Sequence, residues 1–191
     1  MFTYRKFDVN VVRELEFSQL AWPGRREAIH DSSLGCNLEY ADLRGLGWAE
    51  AKRVIALESE LIGRIDQSTD VDAECESIED YLYQRAENLY GLDLGVASTV
   101  ICLSAAKCIP VTSCNGGAFG GSHQEAYPLV AFFARSRTAE QILVAAKEAN
   151  IGLENGAGGS LLAYAADIRD IRAFANCILK RRRLLRAVRD D

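Results

Sequence analysis

The sequence predicts an α+β or α/β protein, in which a helical N-terminal half packs on a small sheet from the C-terminal half. Apolar residues from Trp48 to Ile65 recur at three- and four-residue steps, as on one face of a helix. The segment from Gly95 to Cys108 carries a single charge, which is typical of a helix covered on all sides. Beyond Pro110, short apolar runs alternate with turn residues, and these indicate a sheet of roughly four or five strands.

We divide the chain into an irregular segment over residues 1–47 and a single core domain over residues 48–191. Helices are expected over 48–108 and a β-β-α-β-β-α unit over 109–191. The acidic stretch 66–76 lacks an apolar period and therefore predicts a loop. The second helix is expected to begin at Ser77, whose side chain can cap it, and to end at Gly91.

The C-terminal unit is predicted from runs of strand-forming residues and from helix caps. Thr138 and Gln141 have the spacing of a capping box, and Asp167 precedes the last helix as its N-cap. The expected elements are, in order, a strand at 111–114, a strand at 128–134, a helix at 138–149, a hairpin of strands at 151–155 and 161–166, and a final helix after Asp167.

Composition and charge limit the classes of protein to consider. The 191 residues carry a net charge of -5 and are 49% hydrophobic, as in an ordinary globular chain. Apolar runs are shorter than the roughly 18 residues that a membrane span needs, and the N-terminus lacks the layout of a secretory signal. We therefore expect a soluble cytoplasmic protein with reduced cysteines.

The candidate functional site is the stretch from Cys114 to Glu125, which places four glycines, a thiol, an imidazole and a carboxylate between two strands. Its predicted ligand-binding residues are Asn115, Gly116, Gly117, Gly120, Gly121 and Ser122, and its predicted catalytic residues are Cys114, His123 and Glu125. Glycines allow positive φ, so successive N–H groups could point at an anionic or nucleotide-like ligand. A wide hairpin loop has the same composition, and this structural interpretation stays open.

The catalytic hypothesis concerns thiol chemistry. If the loop folds back, His123 can activate the Cys114 thiol and Glu125 can orient the ring, while Asn115 or a glycine N–H can donate to an oxyanion. The sequence predicts no metal site, because it has only two histidines and no Cys-x-x-Cys pair. His123 and Glu125 match the His-x-Glu of zinc deaminases, but the Pro-Cys-x-x-Cys that those enzymes require is missing. No cofactor is indicated.

One family resemblance follows from the same region. Thr112-Ser113-Cys114-Asn115-Gly116, with the elements that follow it up to Ala166, resembles the Ser-Ser-Cys-Ser-Gly layout of the wybutosine-synthesis methyltransferases. The resemblance implies an S-adenosylmethionine-dependent site for RNA modification. Asn115 replaces a serine of that layout, Gly117 stands where an arginine is expected, and the helical first half has no counterpart, so no family is assigned.

Charge is distributed unevenly, which suggests an alternative function. Residues 39–93 contain fourteen acidic and five basic side chains, whereas residues 180–189 contain six basic ones. The alternative is a non-enzymatic regulatory or assembly protein, whose acidic helices or basic tail hold a protein partner or a second copy of the chain. Nucleic acid is a less favoured partner because the net charge is negative. The tail could equally complement the dipole of its own helix and the acidic half.

Overall fold

The computed structural model describes residues 3–24, 43, 46–121, 123 and 125–187. The described residues form five strands and six α-helices, and the predicted α+β class is confirmed. The elements are, in order, β1 (Arg13–Glu14), α1 (Trp48–Gln67), α2 (Val71–Gln84), α3 (Ala97–Ala105), β2 (Ile109–Cys114), β3 (Leu129–Phe133), α4 (Ser136–Ala149), β4 (Gly152–Asn155), β5 (Leu161–Tyr164), α5 (Ile168–Lys180) and α6 (Arg182–Ala187).

The strands form one mixed sheet in the order β1-β4-β5-β3-β2. β1 runs parallel to β4, and the other neighbouring strands are antiparallel. The predicted hairpin is confirmed as β4 and β5. Four strands belong to the C-terminal unit, and the fifth comes from the N-terminal segment, where Arg13 pairs with Leu153 and donates from Nε to the carbonyl of Ile151 at 2.8 Å.

The uncharged run in the middle of the chain forms the central helix, as its composition predicts. All nine residues of α3 are buried. The helix packs against α1 and α5 and against strands β2 and β3. Side chains alternate across β3, so that Val130 and Phe132 join this main core, whereas Phe133 packs with Ile109 and Val111 in a separate small cluster.

The predicted start of α2 is wrong. The helix begins at Val71 rather than Ser77, because Asp70 accepts a hydrogen bond from the N–H of Ala73 at 3.1 Å and caps the helix about two turns earlier. Most of the predicted acidic loop is therefore helical. The helix also ends at Gln84, ahead of the predicted end at Gly91, and a 3₁₀ turn follows it.

The two helix caps predicted in the C-terminal unit have different outcomes. The capping box is wrong: α4 begins at Ser136, and Thr138 is buried inside the first turn instead of flanking the helix. The cap of α5 is confirmed, since Asp167 accepts from the N–H of Arg169 at 2.8 Å.

The basic tail contacts its own chain over the residues that the structure describes. Arg182 donates to the carbonyl of Leu179 at 3.1 Å, and Arg181 pairs with Glu148 of α4. Leu185 is buried, while Leu184 is 54% exposed. Residues 188 and 189 of the predicted basic segment lie outside the described residues. In the part of the chain that the structure describes, no helix has the length and apolar character to cross a bilayer.

Candidate site at the glycine-rich loop

The glycine-rich loop connects β2 to β3, and its first residues fix its position. Asn115 is buried; its Nδ2 donates to the carbonyl of Leu94 at 3.1 Å, and its Oδ1 accepts from the N–H of Gly117 at 2.9 Å. Gly116 has a φ of 65°, and a Cβ there would lie 2.6 Å from the backbone of Tyr127. Only glycine therefore allows the two ends of the loop to approach this closely.

Three side chains that can bind a metal or act as acid, base or nucleophile meet at this loop. His123 Nδ1 lies 3.5 Å from Cys114 Sγ and 3.5 Å from Asp93 Oδ2. These three atoms all lie within 4.8 Å of one another. Cys114 is 7% exposed, whereas the side chains of His123 and Asp93 are 20% and 38% exposed. We call these residues the Asp93–Cys114–His123 cluster, which lies at the boundary between core and solvent.

The carbonyl of Gly120 selects the tautomer of the neutral His123 ring. It lies 3.1 Å from Nε2. A carbonyl oxygen can only accept, so Nε2 carries a hydrogen, and the neutral form of the ring presents an unprotonated Nδ1 to Cys114 and Asp93. In that form, the nitrogen that faces the thiol can accept a proton.

Backbone N–H groups donate hydrogen bonds to the other two atoms of the cluster. The N–H of Gly116 donates to Cys114 Sγ at 3.3 Å, and the N–H of Asn115 donates to Asp93 Oδ2 at 3.2 Å. The loop backbone therefore holds both side chains in position.

Two cavities adjoin the cluster, and His123 lines both. The first has a volume of about 320 Å³ and a polar wall, formed by Arg5, Gly116, Gly117, Gly121, His123, Glu125 and Ala126. The second has a volume of about 170 Å³ and is more apolar; its wall includes Ile65, Ile78, Leu82, Asp93, Phe119 and His123. A ligand in either cavity would contact the imidazole.

The structure brings most of the predicted site residues to one place. Cys114 and His123 are in contact, Asn115 anchors the loop, and Glu125 lies on the wall of the polar cavity with three of the glycines. Ser122 lies outside the described residues. The glycine N–H groups serve mainly to shape the loop: those of Gly116, Gly117 and Gly120 donate to Cys114 Sγ, Asn115 Oδ1 and the carbonyl of Gly117, respectively.

Sequence reasoning missed two residues of the site, Asp93 and Arg5. Asp93 lies in the turn before α3, where its carbonyl accepts from the N–H groups of Val96 and Ala97 at 3.3 Å. The one available signal was a carboxylate at the start of a buried helix. Arg5 lies in the segment that was predicted to be irregular, and its guanidinium stacks 4.8 Å from the ring centroid of Phe7.

The other described cysteines lie in different environments. Cys102 and Cys108 are fully buried, and burial raises the pKa of both thiols. Burial also raises the pKa of Cys75 and of Cys177. Among the described cysteines, Cys114 is the one with an imidazole nitrogen 3.5 Å from its sulfur.

No family model, curated protein or solved structure matches the chain. The resemblance to the wybutosine-synthesis methyltransferases gains no support from these comparisons.

Proposed function

We propose that this protein binds a small anionic ligand in the polar cavity beside His123, and that the Asp93–Cys114–His123 cluster is the chemical centre of that site. The observation that carries the proposal is the 3.5 Å contact between Cys114 Sγ and His123 Nδ1. In the neutral ring whose Nε2 donates to the carbonyl of Gly120, the Nδ1 atom can take a proton. An unprotonated ring nitrogen beside a thiol is the usual means of forming a reactive thiolate.

The walls of the polar cavity suit a small anion that also carries a donor group. Arg5 supplies a permanent positive charge and His123 an imidazole, while Glu125 can accept a hydrogen bond from a hydroxyl or amino group. The volume of about 320 Å³ is at the lower end of the range for small-molecule sites. A reducing, cytoplasmic compartment belongs to the same proposal, since the five described cysteines are free thiols.

Alkylation of chelator-treated protein by iodoacetamide, followed site by site by peptide mass spectrometry, tests this proposal. We expect Cys114 to react about tenfold faster than Cys102 and Cys108, because only Cys114 of these has a base beside it. His123→Ala should remove that advantage. Inorganic phosphate, used as the anionic probe, should slow the reaction of Cys114 by occupying the polar cavity.

Arg5→Ala and Lys52→Ala are a matched pair of substitutions that test where the anion binds. Each removes one positive charge, but Arg5 lines the polar cavity whereas Lys52 is exposed on α1. Phosphate protection of Cys114 should be lost in the Arg5 variant and retained in the Lys52 variant. Alkylation of Cys114 at the same slow rate as Cys102 would contradict the proposal. Phosphate protection of Cys114 that is unchanged in the Arg5→Ala variant would also contradict it.

A further inference from the structure

We infer that the Asp93–Cys114–His123 cluster is a binding site for a divalent transition-metal ion of the zinc class. The ligand atoms are Asp93 Oδ2, Cys114 Sγ and His123 Nδ1. This inference deepens the proposed function, because it assigns the occupant of the same cluster. The ligands come from the turn before α3, the end of β2 and the glycine-rich loop, so the fold brings them together where no sequence spacing does.

Two of the three distances between the ligand atoms are those of a tetrahedral site. Zinc binds nitrogen and oxygen at about 2.0–2.2 Å and thiolate sulfur at about 2.3 Å, so tetrahedral angles separate nitrogen from sulfur by about 3.6 Å and nitrogen from oxygen by about 3.4 Å. His123 Nδ1 lies 3.5 Å from Cys114 Sγ and 3.5 Å from Asp93 Oδ2. The third pair, Cys114 Sγ and Asp93 Oδ2, lies within 4.8 Å. An ion bound to His123 Nδ1 is therefore close to both of the other ligand atoms.

The electrostatics of the cluster also favour a cation. The nitrogen of a neutral imidazole, a thiolate sulfur and a carboxylate oxygen can each offer a lone pair, and these three ligand atoms meet at one point. A divalent ion placed among them can accept a lone pair from each. Its charge is balanced by one thiolate and one carboxylate, so the occupied cluster is neutral.

Each ligand residue is also hydrogen-bonded to a backbone group, as the ligands of a metal site usually are. A metal-binding histidine almost always donates its other ring N–H to a carbonyl or carboxylate, and His123 Nε2 lies 3.1 Å from the carbonyl of Gly120. Backbone N–H groups donate to Cys114 Sγ and to Asp93 Oδ2. All three ligands are therefore oriented by the backbone before any ion binds.

Three protein ligands leave one tetrahedral position for water or for a ligand, as in catalytic zinc sites. His123 is shared with the polar cavity that contains Arg5. The ligand class this arrangement suits is a small carboxylate or phosphate whose oxygen reaches the metal while Arg5 holds its remaining charge. With the ion bound, Cys114 serves as a metal ligand rather than as a free nucleophile.

Cobalt titration of chelator-treated protein tests the inference without an activity assay. Co²⁺ replaces zinc in such sites, and a tetrahedral thiolate site gives intense visible bands with a near-ultraviolet sulfur-to-cobalt band. We expect one equivalent of Co²⁺ to bind with this spectrum. Zn²⁺ should then displace the cobalt, because zinc binds such ligands more tightly than cobalt does. Asp93→Asn, Cys114→Ser and His123→Gln should each lower cobalt affinity by more than about 100-fold. Mutation of a residue that only orients a ligand already lowers metal affinity by about 10- to 100-fold.

Cys177→Ser and Asp80→Asn are the matched controls, because they make the same chemical changes outside the cluster and should leave the titration unchanged. Circular dichroism would verify that each variant is folded. A tetrahedral cobalt spectrum that survives in the Cys114→Ser variant would overturn the inference, as would a folded wild-type protein that takes up no cobalt.

The two proposals can fail separately. If cobalt does not bind but phosphate still protects Cys114 through Arg5 in metal-free protein, the metal site is wrong and the anion site stands. If cobalt binds through the three ligands while phosphate has no effect on alkylation, the metal site stands and the anion site is wrong.

Discussion

Gly116 shows how much of the site depends on one backbone conformation. Its φ of 65° is in the left-handed region, and a Cβ would lie 2.6 Å from the backbone of Tyr127, which cannot move as a flexible side chain would. Gly116→Ala should therefore lower the free energy of unfolding by about 2 kcal/mol or more, of which about 1–2 kcal/mol is the cost of a non-glycine residue in this conformation. Urea denaturation would measure the loss.

Gly120→Ala is the matched control for that substitution. Gly120 also has positive φ, at 99°, but its added Cβ would meet nothing within 4 Å. Strain alone then accounts for its cost, so this variant should lose less stability than Gly116→Ala. Equal losses would show that the contact with Tyr127 contributes nothing.

The two halves of the cluster differ in how far the sequence could predict them. Cys114 and His123 lie in one loop, so their contact requires only that the loop fold back, which the glycines permit. Asp93 reaches the same point because β2 follows α3 in the chain and returns beside the turn at the start of that helix. That proximity depends on tertiary packing, and no pattern in the local sequence encodes it.

Among the elements, α5 depends on a cap that serves two purposes. Asp167 accepts from the N–H of Arg169, and it also receives Lys6 Nζ at 2.6 Å, which attaches the N-terminal segment to the start of the helix. Burial acts to raise the pKa of Asp167, but hydrogen bonds from Arg169 and Lys6 outweigh it and lower the pKa to about 2. The ionised carboxylate therefore stabilises the folded state.

Asp167→Ala should lower the free energy of unfolding by about 1–2 kcal/mol near neutral pH, the usual cost of removing an N-cap. Because the folded pKa lies below the ordinary value of 3.8, this contribution is complete above about pH 4 and is lost as the pH falls through about 2. Urea denaturation of both proteins at about pH 7 and about pH 3 would measure it. A difference between the two proteins that does not shrink at the lower pH would contradict the prediction.

The predicted starts of two helices were wrong where more than one residue could mark the start. Asp70 and Ser77 can both cap α2, and Asp70 does so; the earlier start adds about two turns, which include the buried Cys75. Thr138 and Gln141 have the spacing of a capping box, yet Thr138 is buried within α4, which begins at Ser136. The central helix, the hairpin and the cap at Asp167 were predictable because a single signal acts at each.

At the scale of the whole molecule, Glu58 links the helical half to the core. It lies on α1 and is 1% exposed; it accepts from the N–H of Gly95 at 2.8 Å and from the hydroxyl of Ser98 at the start of α3. Burial raises the pKa of Glu58 above its ordinary value of 4.5, although the hydrogen bond from Ser98 and the charge of Arg172 on α5 oppose the shift. The carboxyl group therefore joins α1 to the start of α3, and its burial makes ionisation less favourable.

This shift makes the stability of the whole fold depend on pH in the direction opposite to that of Asp167. Between pH 4.5 and the raised pKa of Glu58, the folded state binds more protons than the unfolded chain, so stability falls as the pH rises. The glutamine side chain of the Glu58→Gln variant cannot titrate. The free energy of unfolding of this variant, relative to that of the wild type, should therefore increase as the pH rises through this window. The window lies above the one in which Asp167 acts, so urea denaturation at several pH values separates the two groups. A difference between wild type and Glu58→Gln that stays constant across the window would mean that Glu58 is ionised in the folded protein and that its contacts with α3 offset the cost of its burial.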